Sequence, residues 1–106
     1  MAGITYLYVI GAENGPVKIG ITSNLTSRLA MIQTGCHFQA AIWFVWPIFS
    51  REEAAMHEKT IHIVYQEYRL SGEWFNIPAD QGREAIECAI DTDAYFRERA
   101  AAGELA

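Results

Sequence analysis

Five polar residues have side chains of the types used in catalysis or phosphate binding: Tyr8, Lys18, Arg28, Glu58 and His62. Glu58 and His62 are four residues apart, a spacing that places two side chains on one face of a helix. A phenol or an imidazole transfers protons, and a guanidinium binds phosphate oxygens. A carboxylate with water is the ligand set that magnesium or manganese prefers. The residue types alone leave the reaction open.

Each of these residues also has a structural interpretation. Taken alone, Tyr8 would be an ordinary strand tyrosine and Lys18 a solvated surface residue. Glu58 would pair with His62 or Lys59 on a helix surface, and His62 would be a histidine at the edge of the core. Arg28 lies near the predicted start of a helix, where a cation opposes the helix dipole, so a purely structural role is less attractive for it.

The first half of the chain predicts a hairpin followed by a helix and a strand. Residues 4 to 11 are rich in β-branched and aromatic types, and residues 17 to 21 alternate as a half-buried return strand. Residues 22 to 24 offer N-caps for a helix that reaches about Thr34. Residues 38 to 46 then predict a continuous buried strand. If this strand lies in the centre of a sheet, it must end at Pro47, because proline has no N–H to donate to a neighbouring strand.

The second half is predicted to be mainly helical. Ser50 and Glu53 form a capping box that begins a helix reaching about Tyr68. An extended segment, residues 72 to 75, precedes a last helix over about residues 78 to 99, with a frayed tail from 97 to 106. The order strand, strand, helix, strand, helix, helix predicts an α/β fold, with a small mixed three-stranded sheet flanked by helices.

Length and composition indicate one domain spanning residues 1 to 106. About half of the 106 residues are hydrophobic, enough for one core. No run of about 20 apolar residues predicts a membrane span, and a secretory signal pattern is missing, so we expect a cytoplasmic protein without membrane association. Cys36 and Cys88 are far apart and predict neither a disulfide framework nor a zinc knuckle.

Charge is distributed unevenly along the chain. The net charge of −5 argues against nucleic-acid binding through the overall field of the protein. Residues 1 to 51 carry three basic side chains and one acidic one, whereas residues 52 to 106 carry five basic and twelve acidic ones. We therefore expect a locally positive cleft, with weak binding unless a protein partner or a second subunit contributes.

Two strand motifs and the arginine that follows them resemble a known superfamily. The sequences YLYVIG (residues 6 to 11) and VKIGIT (17 to 22), followed by Arg28, resemble the opening of the GIY-YIG nucleases. The KIG triplet and the GEWF element (72 to 75) are similar to a phage-associated branch of that superfamily. The resemblance covers residues 5 to 77, and four motifs in the right order make coincidence improbable.

The resemblance implies a metal-dependent endonuclease that hydrolyses nucleic-acid phosphodiester bonds, with DNA favoured over RNA. Glu58 takes the place of the metal-binding glutamate, for one Mg²⁺ or Mn²⁺ ion rather than two, since the sequence places no second acidic ligand nearby. Arg28 would stabilise charge on the phosphate, and Tyr8 would be the base. Lys18 replaces a tyrosine and either holds a phosphate oxygen or biases the protonation of Tyr8. His62 completes the candidate catalytic set.

The GEWF element has two interpretations. Trp74 and Phe75 are expected to anchor it in the core, while Glu73 makes either a buried hydrogen bond or a contact with the site. A shared site also requires Tyr8 and Lys18 on one face of their hairpin. That needs an odd-length loop or a bulge near residues 12 to 16 instead of a two-residue turn.

Two other functions remain open. A noncatalytic module of the same fold, acting as a phage or mobile-element regulator that binds nucleic acid or a protein, would account better for the acidic balance. A small zinc protein would use His37, His57 and His62, whose spacings are unlike those of known ligand pairs. Convergence of Tyr8, Lys18, Arg28 and Glu58 on one cleft would favour the nuclease.

Overall fold

A five-stranded sheet runs through the molecule in the computed structural model, which describes residues 3 to 103. The strands are β1 (Thr5–Gly11), β2 (Val17–Thr22), β3 (Ala41–Ile48), β4 (Arg69–Ser71) and β5 (Trp74–Phe75). The helices are α1 (Leu25–Thr34), α2 (Arg51–Val64) and α3 (Ala79–Ala101), with a short 3₁₀ turn at Gln66–Tyr68. The strand order across the sheet is β3-β1-β2-β5-β4.

The predicted α/β class is confirmed, but the sheet differs from the expected one. It has five strands instead of three, and every neighbouring pair is antiparallel, so it is not mixed. The two additional strands come from residues 69 to 75, which turn back on themselves and pair with β2 at Val17 and Lys18. Strands of two and three residues are too short to show a period-2 pattern in the sequence.

The N-caps of the first two helices are confirmed. The Asn24 side chain accepts a hydrogen bond from the backbone N–H of Ser27 at 3.0 Å, and Ser50 accepts one from Glu53 at 3.2 Å. Helix α2 ends at Val64, however, four residues before the predicted end. Beyond Ile61 the apolar residues of the helix are no longer buried, since Ile63 and Val64 are exposed, and a 3₁₀ turn follows.

The strand β3 is an edge strand, so the prediction of a continuous buried strand over residues 38 to 46 is wrong. Its Trp43 and Trp46 are exposed, and Pro47 lies within the strand, as an edge position allows. The pairing with β1 shifts between Val9 and Ile10, where Trp43 has no cross-strand partner. Its indole N–H instead donates to the carbonyl of Gly11 at 2.8 Å.

The two faces of the sheet are covered by different helices. The main core lies under α2 and α3, and its buried members are Leu7, Val9, Val17, Ile19, Ile48, Ala54, Ile61, Phe75, Ile77, Ala79, Ala85, Ile86 and Ala89. The second core lies under α1, and its buried members are Tyr8, Ile10, Ile32 and Ala40. Successive residues of a strand point to opposite faces of the sheet. Alternate residues of β1 and β2 therefore belong to the main core and to the second core.

Helix α3 continues further than predicted, to Ala101. Arg97 does not fray, because it pairs with Asp93 at 2.9 Å and with Glu53 of α2. The last part of the predicted frayed tail, residues 104 to 106, lies outside the described residues. Between residues 3 and 103, the helices are too short or too polar to cross a membrane.

Candidate active site

The β1–β2 hairpin places Tyr8 and Lys18 on the same face of the sheet. Gly11 pairs with Val17, so the connecting loop has five residues, and the predicted odd-length loop is confirmed. Tyr8 lies opposite Gly20, two residues along the strand from Lys18. Side chains two residues apart in a strand point to the same side.

Tyr8 is the centre of a polar cluster contributed by separate elements. Its ring is fully buried in the second core, and its hydroxyl donates to Oε2 of Glu73 at 3.3 Å. Nη1 of Arg28, on α1, donates to the same hydroxyl at 3.4 Å, and the guanidinium lies 5.9 Å from the centre of the Tyr8 ring. Strand β1, helix α1 and the turn between β4 and β5 therefore meet at one phenol.

Gly20 provides the space for this contact. A Cβ atom at position 20 would lie 2.6 Å from the Tyr8 hydroxyl and 2.8 Å from Oε2 of Glu73. Such distances are far shorter than van der Waals contact, and both neighbours are held by their own hydrogen bonds. The KIG triplet therefore has a glycine at this position because the Tyr8 hydroxyl and the Glu73 carboxyl occupy the space that a side chain would need.

Glu58 of α2 reaches the same cluster. Its half-buried carboxyl lies near enough to the Glu73 carboxyl, the backbone of Ile21 and the charge of Arg28 for all three to influence its pKa. The expectation that no second acidic side chain lies near Glu58 is therefore wrong. The two glutamates are fifteen residues apart in sequence, and only the pairing of β5 with β2 brings them together.

Burial, the hydrogen bond to Glu73 and the negative charge of Glu73 together raise the pKa of Glu58 from 4.5 to about 7. Near neutral pH the Glu58 carboxyl therefore retains its proton more readily than an exposed glutamate does, because its charged form would be buried and would lie beside the charge of Glu73. A divalent cation satisfies the same two groups by replacing that proton. The pair therefore fits an ion such as Mg²⁺, which is commonly held by one or two carboxylates with water as the remaining ligands.

The phenol of Tyr8 is held in its neutral form. Burial raises the pKa of Tyr8 well above its ordinary value, and the charge of Glu73 raises it further, while Arg28 opposes the shift. A neutral phenol has one proton to donate, and here Glu73 accepts it. The hydroxyl oxygen can in turn accept a proton from a bound water or substrate. Tyr8 could therefore pass a proton from such a group to Glu73.

Lys18 lies beside this cluster, with Trp74 as its contact. The two residues are cross-strand partners, and the Lys18 ammonium lies over the Trp74 ring at 5.6 Å from its centre. Arg28 is the cation in contact with the Tyr8 hydroxyl. Trp74 is half-buried and packs edge-on against Phe38, while Phe75 is fully buried in the main core, as the anchoring interpretation predicts.

His62 makes a different contact. Its Nε2 lies 2.8 Å from the carbonyl oxygen of Ile19, and its ring packs against Phe75 with centroids 5.0 Å apart. Glu58 and His62 share one helix face, as their spacing predicts, and both reach the backbone of β2. His62 thus fastens α2 to the sheet next to the cluster, and its Nε2 donates to a backbone carbonyl instead of facing Tyr8.

Two residues of the cluster are missing from the set proposed from sequence. Glu73 belongs to the GEWF motif, which the sequence analysis matched, but the sequence did not decide between a buried hydrogen bond and a contact with the site. Gly20 had only its place in the KIG triplet. Among residues 3 to 103, no group of three or more His, Cys, Asp or Glu side chains is arranged to hold a metal ion, so the carboxylate pair is a two-ligand arrangement.

Comparison with known proteins identifies the family. No curated protein and no solved structure matches the chain. A family model described as the T5orf172 domain matches residues 3 to 90, which include every element from β1 to the first half of α3 and all members of the cluster. The chain therefore belongs to the T5orf172 domain family.

Proposed function

We propose that this protein is a metal-dependent endonuclease of the GIY-YIG type, hydrolysing nucleic-acid phosphodiester bonds, with DNA favoured over RNA. The observation that carries the proposal is the convergence of Tyr8, Arg28, Glu58 and Glu73 from four separate elements of the fold. Carboxylates, a guanidinium and a phenol within contact of one another form a set suited to phosphoryl transfer.

The carboxylate of Glu58 would hold a divalent ion, Mg²⁺ or Mn²⁺, with the Glu73 carboxylate next to it. When bound, this ion polarises the phosphate and stabilises the leaving oxygen. The Arg28 guanidinium, which already contacts the Tyr8 hydroxyl, would bind a phosphate oxygen and stabilise the charge that develops on it. Lys18 would hold a neighbouring phosphate oxygen as a point charge, with Trp74 supporting its ammonium.

Proton transfer would pass through Tyr8. The attacking water gives one proton to the Tyr8 oxygen, while the phenol proton moves to Glu73 along the existing hydrogen bond. The water oxygen bonds to phosphorus, the bond to the leaving oxygen breaks, and that oxygen takes a proton from solvent. Because the phenol loses one proton as it gains another, no phenolate forms in a site that disfavours it.

Nicking of supercoiled plasmid at low salt tests the proposal. Wild type, Glu58→Ala and Glu98→Ala should be compared with Mg²⁺, with Mn²⁺ and with chelator. Glu98 is an exposed glutamate on α3, so its substitution makes the same chemical change away from the cluster. We expect metal-dependent nicking in wild type and Glu98→Ala, and none in Glu58→Ala.

Two results would count against the proposal. Equal nicking by all three proteins would show that the activity does not come from this site. No cleavage of plasmid, single-stranded DNA or RNA by wild type would leave the second candidate, a noncatalytic module that binds nucleic acid or protein. The twelve acidic side chains of residues 52 to 106 favour that candidate, because they weaken the attraction of the whole molecule to a polyanion.

A further inference from the structure

Phe49 is an exposed aromatic residue without a packing role. It leaves 80% of its surface accessible, more than any other large apolar residue between positions 3 and 103. It stands directly before Ser50, the N-cap of α2, where an apolar residue usually packs against the fourth residue of the helix. That residue is Ala54, which is fully buried while Phe49 is not, so this packing is absent here.

The sheet register places Phe49 at the end of the molecule where α1 begins. Val45 of β3 pairs with Tyr8, and Ile48 pairs with Thr5, so β3 runs past Tyr8 toward the end of β2 and the start of α1. Phe49 is four residues after Val45, the residue of β3 that pairs with Tyr8. At about 3.3 Å per residue, Phe49 therefore lies about 13 Å from Tyr8 along the strand direction. In a stacked strand with about 3.4 Å between bases, that is about four base steps.

The part of the chain that surrounds Phe49 favours an anionic partner. Residues 14 to 51 contain no aspartate or glutamate, and their charged side chains are Lys18, Arg28 and Arg51. Arg51 is exposed and two residues from Phe49. The nearest acids in sequence are engaged, since Glu52 accepts a hydrogen bond from Ser50 and Glu53 pairs with Arg97. A polyanion with planar bases fits this combination of charge and exposed ring.

We propose that Phe49 stacks on an unpaired base of a nucleic-acid strand that extends from the active site, with Arg51 binding an adjacent phosphate. An exposed aromatic ring beside cations is the usual platform for a single strand. The inference rests on the proposed function and narrows its substrate class to nucleic acid with unpaired nucleotides on one side of the cleaved bond. Apart from Arg51, the first residue of α2, helices α2 and α3 would take no part in this contact.

The test is a binding measurement in chelator, where no cleavage occurs. Single-stranded oligonucleotides of about twelve nucleotides, each carrying 2-aminopurine at one position, report affinity through anisotropy and base stacking through quenching of their emission. Phe49→Ala is compared with Phe96→Ala, the same substitution at a half-exposed phenylalanine of α3. Both side chains are exposed, so neither variant is expected to unfold.

We expect Phe49→Ala to weaken binding by about fivefold or more and to remove the quenching, which should be confined to one or two adjacent positions. Phe96→Ala should bind as wild type does. With three cations engaged, the logarithm of the binding constant should fall with the logarithm of the salt concentration with a slope of about −2. Arg51→Gln should reduce the size of that slope by about one third.

Other outcomes overturn the inference without deciding the nuclease proposal. Equal affinity and quenching for Phe49→Ala and wild type would exclude the stacking role, and equal losses for both phenylalanine variants would show a nonspecific effect. Preference for blunt duplex over single strand would also exclude it. In each case plasmid nicking by wild type and Glu58→Ala still decides separately whether the protein is a nuclease.

Discussion

The two faces of the sheet differ in what they bury and in the charge they carry. The face under α2 and α3 has the larger core, with thirteen buried apolar residues, and the half of the chain that supplies these helices has twelve acidic side chains. The face under α1 has a small core that includes the ring of Tyr8, and the chain from 14 to 51 is free of acid. Stability is therefore expected to come mainly from one face and phosphate chemistry from the other.

The carboxylate pair lies where the two faces meet. Glu58 comes from α2, on the face with the main core, while Tyr8 and Arg28 come from the opposite one. Gly20 lets the Tyr8 hydroxyl and the Glu73 carboxyl make contact, because it has no side chain to separate them. A site built in this way depends on the sheet keeping its register, and the main core is what holds that register in place.

The comparison predicts that equivalent truncations have unequal costs on the two faces. Ile86→Ala removes a fully buried side chain from the main core and should lower the free energy of unfolding by about 2 to 5 kcal/mol. Ile32→Ala, in the second core, should cost less, because fewer neighbours lose contacts. Denaturant unfolding of both variants measures the difference, and a larger cost for Ile32→Ala would reverse the assignment of the two faces.

Gly20→Ala should reduce activity far more than stability. The added Cβ would push the Tyr8 hydroxyl and the Glu73 carboxyl apart, and displacements of about 1 Å in an active site cost about a hundredfold in rate. Metal-dependent nicking rates with thermal unfolding of the same samples would measure both effects. Wild-type activity in Gly20→Ala would show that contact between Tyr8 and Glu73 is dispensable.

The pH dependence of stability should reveal the raised pKa of Glu58. Because the pKa of Glu58 is raised from 4.5 to about 7, the folded state binds more protons than the unfolded state between these values. The contribution of this group is therefore fully present below about pH 4.5 and is lost as pH rises to about 7. After allowance for solvent at a half-buried group, the loss should be of the order of 1 kcal/mol.

Glu58→Gln provides the control for this pH dependence of stability, because glutamine cannot titrate. The difference in melting temperature between wild type and Glu58→Gln should change by about 4 to 8 °C between about pH 4.5 and 7.5 in chelator, with wild type losing stability as pH rises. Added Mg²⁺ should offset the loss in wild type alone, because an ion that binds the folded state stabilises it. A pH-independent difference would mean that the two carboxyls do not interact.

Gly82→Ala is the counterpart of Gly20→Ala on the other face, and its effect should be the smallest. Its Cβ would lie 2.9 Å from a methyl group of Val9, so α3 would have to move away from the sheet. Overpacking costs about 1 to 3 kcal/mol, and about 1 kcal/mol is recovered because alanine favours a helix. The melting temperature should fall slightly, while nicking at a temperature where the protein is folded should be unchanged.

Local signals in the sequence were sufficient for most of the fold. The period-2 strands, the Asn24 and Ser50 caps and the order of elements are each set by residues within one or two turns of chain. Sequence also chose four of the residues that lie in or beside the cluster, Tyr8, Lys18, Arg28 and Glu58, through motifs whose order can be read directly. The odd length of the loop between β1 and β2 followed from requiring Tyr8 and Lys18 to share a face.

Tertiary structure alone decided which groups make contact. The pairing of β5 with β2 brings Glu73 to Tyr8, sixty-five residues away, and beside Glu58, because a two-residue strand takes its position from its partner and not from its own pattern. The same pairing places Lys18 over Trp74, and the position of β3 at the sheet edge accommodates Pro47. Sequence determined which chemical groups are present and on which element, whereas contacts between distant segments determined which carboxyls lie close together and which cation meets the phenol.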